Sequence, residues 1–256
     1  MPLHHRFNRS SLVALLGQWA EGEGERAPQQ DVAQQLSQWL SAVDAIQFSR
    51  ALHAMESVPS DGGQQGAAVD AQAMAAAFQV AKAQVMELLT ATIAPAKPMR
   101  GRADLTPVDG PDPLAQADFA GHAQRYLGLQ KQMCAKLAAL RAQMRQWLAK
   151  GSPALRKLAA LDAVMEQMLD AREQRLWAAL PAYLERRMAQ LQREHLLALQ
   201  SCGLTDEPLR WRQHGGWLWR FERDLQALLL AQMQVLLQPI TGLLEAAHNE
   251  KTGQQE

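Results

Sequence analysis

The segment 126–147, YLGLQKQMCAKLAALRAQMRQW, and the one that follows it, 148–176, LAKGSPALRKLAALDAVMEQMLDAREQRL, decide the fold. In the first, Tyr126, Leu129, Met133, Leu137, Leu140, Met144 and Trp147 recur at three- and four-residue intervals, which places them on one face of a helix. Lys150-Gly151 is a helix stop, with a cation in the last turn and glycine just beyond. Ser152-Pro153 is a helix start, a capping hydroxyl followed by proline at the first helical position. The second helix carries Leu158, Leu161, Met165, Leu169, Leu176, Leu180 and Tyr183. Pro181 is expected to kink or break it. The pattern then resumes through Leu184, Met188 and Leu191 to about Leu199. A turn as short as Gly151 folds the two helices into an antiparallel hairpin, each arm roughly 50 Å long at ~1.5 Å per residue. Their apolar stripes need a third partner, from the last helix, the N-terminal helices or a second subunit.

The rest of the chain agrees with an all-α fold. Apolar residues make up 48% of the 256 and aromatics only 5%, so β-branched and aromatic strand formers are scarce beside Ala, Leu, Gln, Glu, Arg and Met. Ser10 can cap a helix bearing Leu12, Leu15, Leu16 and Trp19. Asp31 caps a second with Val32, Leu36, Trp39 and Leu40, and Asp44 starts a third with Ile46, Phe48 and Leu52. Gly22–Pro28 and Pro59–Gly66 read as loops, and Val69–Ala94 as an Ala-rich helix. Pro95–Pro113 reads as a proline-rich linker, with Asp112-Pro113 opening the long-helix region. Cys202-Gly203 ends the second long helix. A last helix runs from about Trp217 to Leu237, with a short piece after Pro239. The expected organisation is a small N-terminal helical region over 1–94, a linker over 95–113, a long helical bundle over 114–248 and a disordered tail over 249–256.

Charge and motifs narrow the function more than they define it. Lys and Arg number 26, as do Asp and Glu, which speaks against a nucleic-acid binder of strongly basic type. Two cysteines, Cys134 and Cys202, are too few for a disulfide framework and too far apart for a zinc motif, and they suit reduced thiols in the cytoplasm. The run Leu12–Leu16 is short for a signal peptide, and Leu225–Leu237 is short for a membrane span. His-Glu-x-x-His, a phosphate-binding glycine loop and Gly-x-Ser-x-Gly are all missing. Glu245 and His248 form one Glu-x-x-His where a di-iron bundle needs two. The chain therefore reads as a non-enzyme with no cofactor and no metal site.

Three features stand out as candidate partner-binding sites. Between Gly121 and Leu161 lie eight basic residues and no acid. Folding about Gly151 sets Arg141 beside Asp162, Lys136 opposite Glu166 and Lys131 beside Asp170, which neutralises part of that charge. Arg145, Lys150, Arg156 and Lys157 then remain around the turn with no acid in reach, either as a solvated end or as a contact for an acidic partner or membrane surface. Arg172 interrupts the apolar stripe between Leu169 and Leu176, where a guanidinium either snorkels outward or pairs with a buried acceptor at a subunit contact. Trp211, Trp217 and Trp219 are interleaved with Arg210, Arg212 and Arg220. That mixture fills bundle ends with stacked Arg, and it also marks protein interfaces, membrane surfaces and single-strand binding sites.

Leu36–Leu52 (LSQWLSAVDAIQFSRAL), Tyr126–Met133 (YLGLQKQM), Leu158–Leu176 (LAALDAVMEQMLDAREQRL) and QPITGLLEA near the end resemble a proteobacterial family catalogued as domain of unknown function 3348, over nearly the whole chain. Asp162–Glu173 is the most specific part. The family has no known activity, cofactor or catalytic residue to carry over. The resemblance implies a setting: genes beside a coiled-coil membrane protein similar to stator or energiser subunits, and beside a protein with an outer-membrane-protein-A-type peptidoglycan-binding domain. The expected function is thus a cytoplasmic helical adapter, reaching an envelope assembly through a helical or coiled-coil protein partner. A second copy of the chain or a peripheral membrane contact could also cover its stripes. The alternative is a nucleic-acid-binding protein using the basic tip and the Trp/Arg cluster.

Overall fold

The structure is a computed structural model. It describes residues 10–21, 46, 48–50, 52–53, 69–91, 117–203 and 205–253. Among these the chain is all-α. The helices are α1 (Ser11–Glu21), α2 (Ala71–Ala91), α3 (Phe119–Leu148), α4 (Pro153–Cys202) and α5 (Trp217–Gly253), with a 3₁₀ turn at Pro208–Arg210. The expected loops at 22–28 and 59–66, the Asp31 helix, the proline-rich linker and the Asp112-Pro113 start lie outside the described residues. Ile46, Phe48 and Leu52 are helical, as their spacing requires.

Helix ends follow local chemistry. Asp70 caps α2, its Oδ1 accepting from the backbone N–H groups of Gln72 and Ala73 at 3.0 Å. Asp118 accepts from Ala120 N at 3.3 Å and opens α3. Ser152 Oγ accepts from Leu155 N at 3.2 Å, so the expected Ser-Pro start of α4 holds. Gly203 ends α4 at φ 63°, a left-handed conformation that glycine adopts without a Cβ penalty.

Pro181, expected to kink or break its helix, and Pro239, expected to end one, leave their helices unbroken. α4 is continuous through Pro181 and α5 through Pro239. Each proline removes one helical N–H, but the buried residues on either side keep the helix in phase: Leu180, Leu184 and Met188 around Pro181, and Leu237, Ile240 and Leu243 around Pro239. α5 also carries the helix past Asn249 to Gly253, where the sequence reads as tail.

The chain divides into two compact units, and the long helices contribute a segment to each. The first comprises Met1–Trp19, Gln84–Met133 and Ala179–Val235. Its core draws Leu12 and Trp19 from α1, Val85 and Leu89 from α2, Tyr126, Leu129 and Met133 from α3, Leu184, Met188 and Leu191 from α4, and Phe221, Leu225, Leu228 and Leu229 from α5. A polar chain runs inside it. The Tyr126 hydroxyl, fully buried, donates to Gln232 Oε1 at 3.2 Å and accepts from Gln130 Nε2 at 3.1 Å. Phe221 meets the buried His122 ring edge-on at 5.1 Å.

The second unit comprises Ala20–Ala83, Cys134–Ala178 and Leu236–Glu256. Met74 and Phe78 of α2, Leu137, Leu140, Met144 and Leu148 of α3, Leu155 and Ala159 of α4, and Leu237, Ile240 and Leu243 of α5 are buried there. Here α3 and α4 fold back on each other about Gly151. A Cβ on Gly151 would press on Val69 Cγ2 at 2.6 Å and Leu155 Cδ1 at 2.9 Å, so the turn is tight because the side chains over it leave no room. In both units α2 and α5 contribute buried residues to the core that holds the α3 stripe.

The predicted stripe of α3 is buried except at its end, where Leu148 takes the core position and Trp147 is half-buried. The predicted stripe of α4 needs a larger correction. Leu158, Leu161, Met165 and Leu169 are only half-buried, and Leu176 and Tyr183 are exposed by 47% and 36%.

Candidate functional site

The basic hairpin tip is smaller than the sequence predicts. Arg141 grips Asp162 through two hydrogen bonds, Nε to Oδ2 at 2.9 Å and Nη2 to Oδ1 at 2.7 Å. Arg145, expected to be out of reach of any acid, joins the same network: its Nη1 lies 2.9 Å from Asp162 Oδ2 and 2.7 Å from Glu166 Oε2. The reason is reach. A guanidinium on a four-bond stem spans a helical turn, so one more turn of α3 serves the same carboxylates. Glu166 is accordingly held by Arg141 and Arg145 rather than Lys136, and Asp170 accepts from Gln174 Nε2 at 2.9–3.0 Å rather than facing Lys131. Burial lowers the Arg141 guanidinium pKa, but the Asp162 hydrogen bonds together with the charges of Asp162, Glu166 and Glu173 outweigh it and raise it. Lys150, Arg156 and Lys157 stay exposed at the tip. Arg172 is half-buried.

The Trp/Arg cluster divides into a sealed part and an open part. Trp211 and Trp217 are buried, with ring centroids 5.4 Å apart. Asp206 ties this end together: its Oδ1 accepts from Trp211 Nε1 at 2.8 Å and meets His195 Nε2 of α4 at 2.9 Å. Slight burial works against the charged carboxylate, yet these two hydrogen bonds and the His195 charge hold Asp206 below the usual carboxylate range. Gly216 is required there, because a Cβ would run into the carbonyl oxygens of Arg210 and Trp211. Trp219 is half-buried, with Arg223 5.4 Å above its ring and His214 at 4.6 Å. Arg220 is exposed and Arg212 pairs with Glu222 at 2.6 Å. Filling the bundle end thus accounts for Trp211 and Trp217, while Trp219 and Arg220 remain at the surface.

One further feature is not anticipated by the sequence patterns above. In the second unit, Cys134, Leu137, Ala138 and Arg141 of α3, Glu166, Asp170, Glu173, Gln174 and Trp177 of α4, and Leu236 of α5 enclose a cleft of about 220 Å³. Burial raises the Glu173 carboxyl pKa, opposed by Arg141 and reinforced by Asp170 and Glu166. Burial, and then Glu173, push the Cys134 thiol up, away from a reactive thiolate. Both cysteines are free thiols. Among the described residues no group of three or more His, Cys, Asp or Glu is placed to hold a metal ion. A signal for the cleft does exist in sequence: 166, 170, 173 and 177 step by three or four and share one helical face.

Among the described residues these features define an all-α helical-bundle protein with a small acidic cleft between α3 and α4. The chain belongs to the family described as Protein of unknown function (DUF3348), whose model matches residues 1–249. No curated protein and no solved structure gives a match. α5 is long and apolar enough to cross a membrane by length and composition, with a mean hydropathy of 1.5 over an 18-residue window within Trp217–Glu250, whereas the run Leu225–Leu237 by itself is too short. A core helix passes the same test, and Leu225, Leu228, Leu229, Met233 and Ile240 of α5 are buried.

Proposed function

We propose that this chain is a non-enzymatic helical adapter or structural protein, a cytoplasmic accessory that binds a helical, coiled-coil component of an envelope-associated assembly. One observation carries the reading. From Ala160 to Ala178 no side chain of α4 is buried, although the stretch contains Leu161, Met165, Met168, Leu169, Leu176 and Trp177. A helix this rich in large apolar groups ordinarily buries a face. Covering what remains exposed of each would contribute about 1 kcal/mol, a fraction of the ~1.5–3 kcal/mol for burying such a side chain completely. An amphipathic helix laid along it is the partner geometry that uses spacing of this kind. The envelope setting comes from the family resemblance alone.

Affinity purification of the tagged protein from its native host after mild detergent extraction, compared with the Met165→Glu/Leu176→Glu variant, tests this. Stoichiometric recovery of a coiled-coil envelope protein with the wild type and its loss with the variant is expected. A partnerless monomer in both would end the adapter reading. The exposed Lys150, Arg156 and Lys157 support the alternative, nucleic-acid binding, which predicts retardation that falls steeply with salt. The capture of Arg145 by Asp162 and Glu166 removes one of its four cations.

A further inference from the structure

The cleft between α3 and α4 has a lining that neither folding nor ion pairing explains. Its carboxylates fall into two groups. Asp162, just outside, and Glu166 are neutralised by Arg141 and Arg145. Asp170 and Glu173 have no such partner among the described residues. Asp170 accepts only from the neutral Gln174 amide, and Glu173 makes no hydrogen bond or ion pair among the described residues. Arg141 is the sole cation among the residues lining the cleft, and its two bonds to Asp162 commit it elsewhere. Arg141 acts on Glu173 through space without bonding it, and a half-buried carboxylate with no bonded partner is costly and is ordinarily paired or neutralised. Glu173 faces a space instead.

That space has a shape and a wall. Its volume, about 220 Å³, lies below the roughly 300–1,000 Å³ of sites for drug-sized molecules, and suits one extended side chain or a ligand of that size. Leu137 and Leu236 give it an apolar floor, and Trp177 adds an indole. An indole beside carboxylates, over an apolar floor, is complementary to an alkyl-linked cation: the stem packs on the apolar side, and the charged head meets the ring and the acids.

We propose that this cleft is a binding site for a single alkyl-linked organic cation, a guanidinium or a primary ammonium, held by Glu173 and Asp170 and walled by Trp177. Its source is either a free small molecule or a basic side chain of a protein. The second case rests on the adapter reading and the first does not. Occupancy would set a cation closer to Glu173 than Arg141 is and so lower its raised carboxyl pKa toward the ordinary range.

Isothermal titration of the full-length chain with butylguanidinium, and with the neutral butylurea of similar shape, tests the site. Butylguanidinium is expected to bind and butylurea not. Glu173→Gln and Trp177→Leu are each expected to weaken butylguanidinium at least tenfold while helical circular dichroism is retained. Asp170→Asn, on the outer edge, serves if Glu173→Gln misfolds. A merely structural Glu173 would leave affinity untouched. Equal binding of the two ligands, or unchanged affinity in every folded variant, overturns the proposal. An alanine-based helical peptide with one arginine distinguishes the sources: tighter binding than butylguanidinium assigns the cation to a partner chain, and weaker binding assigns it to a free molecule. Failure of the adapter reading in the pull-down leaves the butylguanidinium result standing, so the two claims fail separately.

Discussion

Replacing Tyr126 by phenylalanine deletes one oxygen from a sealed site, and its cost can be worked from the hydrogen bonds. The hydroxyl accepts from Gln130 Nε2 and donates to Gln232 Oε1. Tyr126 and Gln232 are fully buried and Gln130 is 8% exposed, so water does not readily replace the missing oxygen. Two groups lose a partner at ~1–3 kcal/mol each, and about 2–4 kcal/mol in total is a fair expectation. At about 2–4 °C per kcal/mol for a chain of this size, Tm falls by roughly 5–15 °C in a calorimetric scan. Gln232→Met behaves differently. The Gln232 Nε2 has no hydrogen-bond partner among the described residues, so the amide already carries a desolvation cost, and removing it offsets the lost bond to Tyr126. The single variant should lie within about 1 kcal/mol of wild type, and Tyr126→Phe/Gln232→Met should recover most of the Tyr126→Phe loss. A Tyr126→Phe shift below about 1 °C, or a double variant no better than the single, would refute the view that this polar chain is dry and coupled.

Three further outcomes are expected. Asp206 has its pKa lowered by folding, so its contribution is present above the ordinary carboxylate pKa and lost as pH falls through the lower folded value; Asp206→Asn should abolish that acid-limb dependence, read from the Trp211 indole N–H resonance. Glu173 has its pKa raised, so its penalty is felt above the folded pKa and relieved as pH falls through it. Glu173→Gln should therefore leave Tm at neutral pH unchanged or higher, and a lower Tm would mean that the carboxylate is paired. Gly151→Ala should destabilise by about 1–3 kcal/mol in urea unfolding through crowding against Val69 and Leu155, and Val69→Ala in the same chain should restore part of it.

Much of the fold is legible in the chain because local signals and helical period agree. Ser152-Pro153, Cys202-Gly203 and the α3 stripe each work through neighbours within a turn or two, and each stands where the sequence places it. The prolines mislead for a physical reason: one absent N–H is weighed against buried residues on both sides, and the burial at Leu180, Leu184, Leu237 and Ile240 comes from the tertiary fold. Arg145 misleads because pairing numbers about the turn fixes height but ignores side-chain reach. Leu176 and Tyr183 have the period of a core face, yet period cannot say which of two faces meets the rest of the molecule. The cleft needs residues from three helices, and only its α4 part, Glu166, Asp170, Glu173 and Trp177, is visible as a pattern in one segment.

The central claim is that the half-covered face of α4 receives a helical partner. Site-specific incorporation of a photo-crosslinking phenylalanine analogue at Met168 or Leu176, with exposed Gln79 of α2 as the control position, tests it in the native host. The account predicts one covalent adduct with a coiled-coil envelope protein from both α4 positions and none from Gln79. No adduct at either α4 position, or the same adducts at Gln79, would contradict it.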